Sequence, residues 1–290
     1  MVAVRTARLE QADGGRWSLT TRPQASGTSW IVDDVAGWYG GSGVRGEVVA
    51  GLGHGDFVER GHREGRVLTL HGTVICESSN ERDWQERNLS GMAWSGDWAT
   101  LTCDDGNAEL STRVRLDGSP QIVKLGTQAL RFQLPLRSDT PFLHGVWRES
   151  TLEPIGSGIG VDFPLFGQAP EGGAGEPIFT FGTAVDTSEY VWNDGNAESW
   201  PEFVVYADAP GGFAVSLGDK RVTFPWPTFP DMPVTVDMAG SVSVSGVDQS
   251  HMIGERGWAC IAPGTIGSPS LTFLQGGTGW ATVRHRDSYI

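Results

Sequence analysis

The chain has 290 residues, a mass of 31.1 kDa and a formal charge of −14. That length suits one large or two modest domains, and the acidic excess argues against nucleic-acid binding and against attraction to anionic membranes. No stretch reaches the ~18 apolar residues of a transmembrane helix. The start, Met1 to Gly15, lacks the apolar core of a secretory signal. Forty-one glycines and 16 prolines make up about a fifth of the chain, which predicts many turns and disfavours long helices.

The N-terminal half reads mostly as strands. Trp30-Ile31-Val32 is a short apolar run, and Val48-Val49-Ala50 lies close to glycines. The run from Val67 to Ile75 has the β-branched content of a buried strand. One helix is expected. Ser78 and Glu81 form an S-x-x-E capping box, Trp84, Leu89 and Met92 supply its apolar side, and Gly91 or Gly96 ends it. Trp98 to Cys103 and Glu109 to Leu116 read as a hairpin around Asp105-Gly106. Leu130, Phe132, Leu134 and Leu136 then alternate with Arg131, Gln133 and Pro135, a strand with one wet face.

The C-terminal half reads as more uniformly β. Ile178–Phe181 and Tyr190–Trp192 are short arms, and Phe203–Tyr206 is a buried strand. Phe213, Val215 and Leu217 turn at Gly218-Asp219 and continue as Val222 and Phe224. Val234 and Val236 should pair with Val242 and Val244, and the last strand is Gly279 to Val283. Turn signals at roughly 8–12-residue spacing are those of a sandwich or jelly roll. Residues 150–177, rich in Gly, Pro and acid, read as a linker or long loop. The pentapeptide Asp-Gly-Asn-Ala-Glu occurs at 105–109 and 194–198. It is too short for a repeat architecture and encodes two turns.

Charge divides the chain near residue 146. Residues 1–145 carry 15 basic and 18 acidic residues, whereas 146–290 carry 6 and 17. We read this as a domain boundary, giving 1–145 and 146–290. Three cysteines, Cys76, Cys103 and Cys260, are an odd number without short spacing. They read as free thiols rather than as a disulfide scaffold or a CxxC metal or redox motif.

Motifs for chemistry are sparse. Gly41, Gly43, Gly46 and Val48 match a kinase glycine loop, but the first lysine is Lys124 and no Asp-Phe-Gly exists. No G-x-S-x-G elbow, P-loop or H-E-x-x-H pair is present. Asp104, Asp105, Asn107 and Glu109 lack the spacing of a calcium loop. Glu198 and Glu202, beside Trp192 and Trp200, are the best candidates for a glycosidase carboxylate pair on a sugar platform. The competing reading is that these tryptophans fill cores and the acids sit in turns. Neither a cofactor nor a metal is expected.

The order of landmarks resembles one family. It runs through Trp30-Ile31-Val32-Asp33-Asp34, a glycine-rich segment, Arg63-Glu64-Gly65-Arg66-Val67, one helix, a hairpin and Leu130-Arg131-Phe132-Gln133-Leu134 before Ser-Asp-Thr-Pro. Asn193-Asp194-Gly195-Asn196 then precedes Trp200-Pro201, and the chain ends at Tyr289-Ile290. This order resembles the distal tail proteins of long-tailed bacteriophages, also called minor tail proteins. The resemblance implies a mainly β chain. An N-terminal belt domain, a β-sandwich or split barrel with one short helix, would form a ring, usually six-fold, at the tip of the tail tube. A C-terminal galectin-like β-sandwich (jelly roll) would project outward. Residues 271–290 could complete the belt.

The role implied is structural and non-enzymatic, adapting the tube to the tip hub and to host-recognition parts. The implied partners are further copies of itself, the tail tube protein, the tip hub protein and the tape-measure protein. The implied place is the virion tail tip, after assembly in the host cytoplasm. Arg45, Arg63 and Arg66 are candidate interface contacts, since arginine is enriched at interfaces. The alternative is a carbohydrate-binding module or cell-wall glycosidase using the C-terminal sandwich.

Overall fold

The computed structural model describes residues 4–11, 14–40, 43–46, 48–50, 56–58, 61–92, 96–155 and 189–290. The expected arm at 178–181, most of the expected linker at 150–177, and Gly41 of the glycine motif lie outside these residues. The chain is mainly β with one α-helix. It divides into two compact units, Met1–Val146 with Asp287–Ile290, and Trp147–Arg286. Within 271–290, only the last four residues belong to the first unit.

The first unit is built on a ten-stranded sheet. Its order is Gln121–Leu125, Ala129–Arg137, Val67–Ile75, Ser29–Ala36, Arg16–Thr20, Thr6–Gln11, Ala99–Asp104, Glu109–Leu116, Leu143–His144 and Ser288–Tyr289. Glu109–Leu116 also pairs with Ala129–Arg137, through Arg115 opposite Arg137 and Leu116 opposite Leu136. That pairing closes these two strands and the five between them into a seven-stranded barrel, which removes their edges. Arg16–Thr20 and Ser29–Ala36 meet in parallel, at Thr20 and Ile31.

Alternation fills the barrel. Leu68, Leu70 and Val74 face Leu136, Leu134 and Leu130 across one antiparallel register, and all six are buried. Gly72 sits opposite Phe132. A Cβ at Gly72 would run into the Phe132 ring, which packs edge-on against Trp30 with centroids 5.8 Å apart. The hairpin forms as its sequence predicts. Asp105 Oδ1 accepts from the backbone N–H groups of Asn107 and Ala108, and Gly106 takes the positive φ of +89° that favours glycine.

The helix spans Ser79–Ser90. The Ser78 hydroxyl accepts from the Glu81 N–H at 3.2 Å, and the Glu81 carboxylate accepts from the Glu77 N–H at 2.9 Å. Its buried stripe differs from the expected one. Leu89 and Met92 are buried, but Trp84 is 56% exposed and Gln85 occupies the inward position. Residues 85, 89 and 92 step by four and three and share a face, whereas 84 to 89 steps by five and leaves it.

The second unit is a sandwich of open sheets. The larger has the order Arg148–Leu152, Thr278–His285, Glu202–Asp208, Val234–Asp237, Ser241–Val244, Val247–Asp248. A three-stranded sheet runs Lys220–Phe224, Phe213–Leu217, Pro269–Phe273, and Val191–Asn193 pairs with Thr265–Gly267. Val234 and Val236 face Val244 and Val242 as their spacing predicts. Phe203, Val205, Phe213, Val215, Leu271 and Val283 are buried in one core. Phe213 stacks on Phe224 with ring centroids 5.7 Å apart.

Candidate functional site

Arg66 is 1% exposed. Its guanidinium donates to the carbonyl oxygens of Gly37 (3.1 Å), Trp38 (2.5 Å) and Pro141 (2.7 and 3.2 Å). These hydrogen bonds tie two separate loops to the start of the Val67–Ile75 strand. Burial pushes the guanidinium below its ordinary value, and the nearby charge of Arg63 adds to this. Arg66, expected from the sequence as an interface contact, is thus buried within its own unit and bonded to its loops. Arg45 and Arg63 belong to a two-stranded pair, Val44–Arg45 with His62–Arg63, and both are exposed. Arg45 pairs with Glu64 at 2.8 Å.

The aspartates considered for calcium form the hairpin turn. Tyr39 donates to Asp105 Oδ2 at 2.6 Å. That bond leads the turn hydrogen bonds in lowering the Asp105 carboxyl. Tyr39 is pushed up to about 12, by burial first and then by Asp105. Among the described residues no group of three or more His, Cys, Asp or Glu could hold a metal ion. None of the described helices is long and apolar enough to cross a membrane. Cys76, Cys103 and Cys260 are free, and burial raises each thiol.

The carbohydrate candidates fall on different elements. Glu202 opens a strand of the six-stranded sheet and stands in a cross-strand row with Glu149, Arg284 and Asp237. Arg284 donates to Glu149 at 2.9 Å and to Glu202 at 3.2 Å. Arg284 and Arg286 lie over the Trp147 ring, at 4.9 and 4.1 Å. Burial raises Glu202 more than Arg284 lowers it, and burial likewise raises Asp237. Burial brings Arg286 down to about 10. Desolvation outweighs attraction at these three groups, as in many partly buried ion networks.

Trp192 sits on the separate Val191–Asn193 strand, between the Arg148 guanidinium at 4.7 Å and the His285 ring at 4.8 Å. Trp200 packs on the core, and Glu198 is exposed in the turn that carries the repeated pentapeptide. That turn is held by buried Asn193, whose amide donates to the carbonyls of Ala197 and Ile261. Glu202 thus belongs to an ionic row, whereas Trp192 meets the Arg148 guanidinium and, edge-on, the His285 ring. The elements that hold the two side chains give them different partners.

Sequence reasoning missed an apolar groove in the second unit. Phe224, Trp226, Phe229, Met232, Val244 and Met252 help line a cavity of about 230 Å³. Its aromatic residues are interleaved with Pro225, Pro227, Pro230 and Pro233. The available signal was that proline-punctuated run of large apolar residues, which reads equally as a loop.

No protein-family model matches this sequence, and no curated protein matches it. Among solved structures it is similar to the crystal structure of the Dit protein of phage SPP1, described as a paradigm of the hub adsorption apparatus in phages that infect Gram-positive hosts. That likeness has 12% identity and a TM-score of 0.61, and covers 98% of this chain and 99% of the other. Two chains from the phage P2 baseplate in its activated conformation are also similar. The one with calcium has 12% identity, a TM-score of 0.48 and 98% coverage of both chains. The one with strontium has 10% identity and a TM-score of 0.49, covering 97% of this chain and 98% of the other. At these identities the likeness is one of architecture, and over nearly its whole length this chain has the fold of the SPP1 Dit protein.

Proposed function

We propose that the chain is a structural, non-catalytic protein of a phage tail, forming a ring at the distal end of the tail tube. The observation that carries this reading is the full-length likeness to a tail hub protein, in which 98% of this chain meets 99% of the other. A likeness confined to one unit would point only to a common β module. In this reading the first unit is the ring-forming belt, and the second is a galectin-like sandwich that projects outward. The ring adapts the tube to the tip hub and to host-recognition parts. Its partners are further copies of itself, the tube protein, the hub protein and the tape-measure protein, and its place is the virion tail tip.

The charge distribution supports the division of labour. A closed ring needs two different, complementary faces on one domain. The near-neutral first half, with 15 basic and 18 acidic residues, can supply both signs. Exposed Arg45 and Arg63 are the candidate contacts there. The second half, with 6 basic and 17 acidic residues, resists self-association through like-charge repulsion.

The test is the mass of the purified protein alone and mixed with the tail tube protein, with negative-stain images of each. A closed ring is expected, at about 187 kDa for six copies of the 31.1 kDa chain. A monomer in both preparations would overturn the ring reading. Glycan hydrolysis abolished by Glu202→Gln would overturn the non-catalytic one.

A further inference from the structure

We propose that the Trp226–Met232 groove of the second unit is a docking site for a basic peptide segment of another protein, anchored by one large apolar side chain. Trp226, Phe229 and Met232 are 48%, 52% and 47% exposed. They are neighbours on one cavity rather than scattered surface residues, and a contiguous apolar patch of this kind marks an interaction site. A volume of about 230 Å³ is below the usual range of a small-molecule pocket. It suits one inserted side chain of leucine, phenylalanine or tryptophan size.

The groove is ordered before any partner arrives. The Trp226 indole N–H donates to the Met252 carbonyl at 2.9 Å, which fixes the ring. The Met232 N–H donates to the Phe229 carbonyl and closes the intervening turn. Pro225, Pro227, Pro230 and Pro233 restrict the same stretch. Little conformational entropy remains to be lost on binding. Met232 and Met252 can adjust to the shape of the incoming side chain.

Charge chooses among apolar partners. Residues 222–255, which build the groove, contain Asp231, Asp237, Asp248 and Glu255 but no lysine or arginine. Asp237 lies on the ionic row, where the Arg286 charge acts on it. Glu255 accepts from Thr223, on the strand face opposite Phe224. Asp231 is in the turn closed by Phe229 and Met232, and Asp248 adjoins the lining residue Gln249. Lys220, Arg221, His251 and Arg256 are the nearby cationic side chains in sequence. A segment carrying lysine or arginine on either side of its anchor meets these carboxylates and the open face of Trp226. A carbohydrate would find few polar atoms in this cavity to bind its hydroxyls, and a second copy would bring like charge.

The experiment uses the full-length chain and fluorescein-labelled nine-residue peptides read by anisotropy. Each peptide has one central leucine, phenylalanine or tryptophan flanked by four arginines, four serines or four glutamates. At least one arginine peptide should bind saturably, its serine counterpart about tenfold more weakly and its glutamate counterpart weaker still. Trp226→Ala and Phe229→Ser should each weaken binding about tenfold or more. Asp231→Lys, which leaves the apolar lining intact, should narrow the preference for arginine. Circular dichroism and melting curves identify any variant that fails to fold, and the remaining variants decide.

The proposal is overturned if no arginine peptide saturates by ~1 mM. It is also overturned if folded Trp226→Ala and Phe229→Ser both bind like the parent, or if the glutamate peptides bind as well. Self-association lost in Trp226→Ala by sedimentation would assign the groove to a second copy. A glycan-array signal lost in the same variant would assign it to sugar.

Discussion

The two units handle strand edges and buried charge in opposite ways. The first closes seven strands into a barrel and keeps Arg66 inside, where among the described residues backbone carbonyls satisfy it. The second leaves its sheets open and lays its charges in a row across one of them, Glu149, Arg284, Glu202 and Asp237, with the Arg284 guanidinium also over Trp147. Closure makes the first unit dependent on a few irreplaceable contacts. An open sheet with a partly wet ionic row tolerates loss more evenly, because water can replace a missing partner. The contrast predicts steep mutational effects in one unit and shallow, pH-dependent effects in the other.

The largest effect should come from Arg66→Met. Removing the guanidinium leaves the carbonyls of Gly37, Trp38 and Pro141 without a donor in a buried place, at a cost of about 3 kcal/mol or more. In urea titrations the unfolding transition of the first unit should move and that of the second should stay. If both move together, the units are not independent in stability and the comparison fails. Arg66→Lys should rescue little, because an ammonium cannot span the separated carbonyls.

Gly72→Ala comes next. The added methyl meets the Phe132 ring inside the closed barrel, which cannot widen, at a cost of about 1–3 kcal/mol. A double variant with Phe132→Leu should recover part of the loss. Recovery by this route would tie the penalty to packing rather than to backbone strain.

Arg284→Met in the second unit should cost only about 1 kcal/mol, since its partners Glu149 and Glu202 stay partly accessible to water. A loss as large as that of Arg66→Met would erase the distinction between wet and dry charges.

The smallest expected effect is a pH slope. Burial raises Asp237 and Glu202 in the folded state. A raised carboxyl contributes stability that is fully present below its unfolded value. That contribution is lost as pH rises through the folded value. The second unit should therefore lose some stability between about pH 4 and neutrality. Asp237→Asn keeps an acceptor for the Ala239 N–H at 2.8 Å and removes the titration. Its melting temperature should vary less over that range than the parent's. An unchanged slope would show that Asp237 does not titrate upward.

What the sequence alone determined was local. Period-two alternation placed Leu130, Phe132, Leu134 and Leu136 on one buried face. Asp-Gly and Gly-Asp signals placed the hairpins, and Ser78 with Glu81 placed the helix start. Each of these rests on interactions within a few residues, so the chemistry is visible in the order of amino acids. Charge counting found the change at residue 146 because the two halves have different compositions.

The tertiary structure decided everything that joins distant residues. Barrel closure depends on Arg115 meeting Arg137. The burial of Arg66 depends on carbonyls 28, 29 and 75 residues away. In sequence Arg66 is one more arginine beside Arg63 in a charged stretch, with nothing local to distinguish clamp from surface contact. Trp84 and Gln85 exchanged expected places for a similar reason: hydrophobicity proposed the tryptophan, but helical phase chose its neighbour. The groove at Trp226 appears only when residues 224–252 fold back on themselves and leave three large apolar side chains half covered. Periodicity can say which residues share a face. It cannot say which face remains open, because that depends on packing against segments far away in the chain.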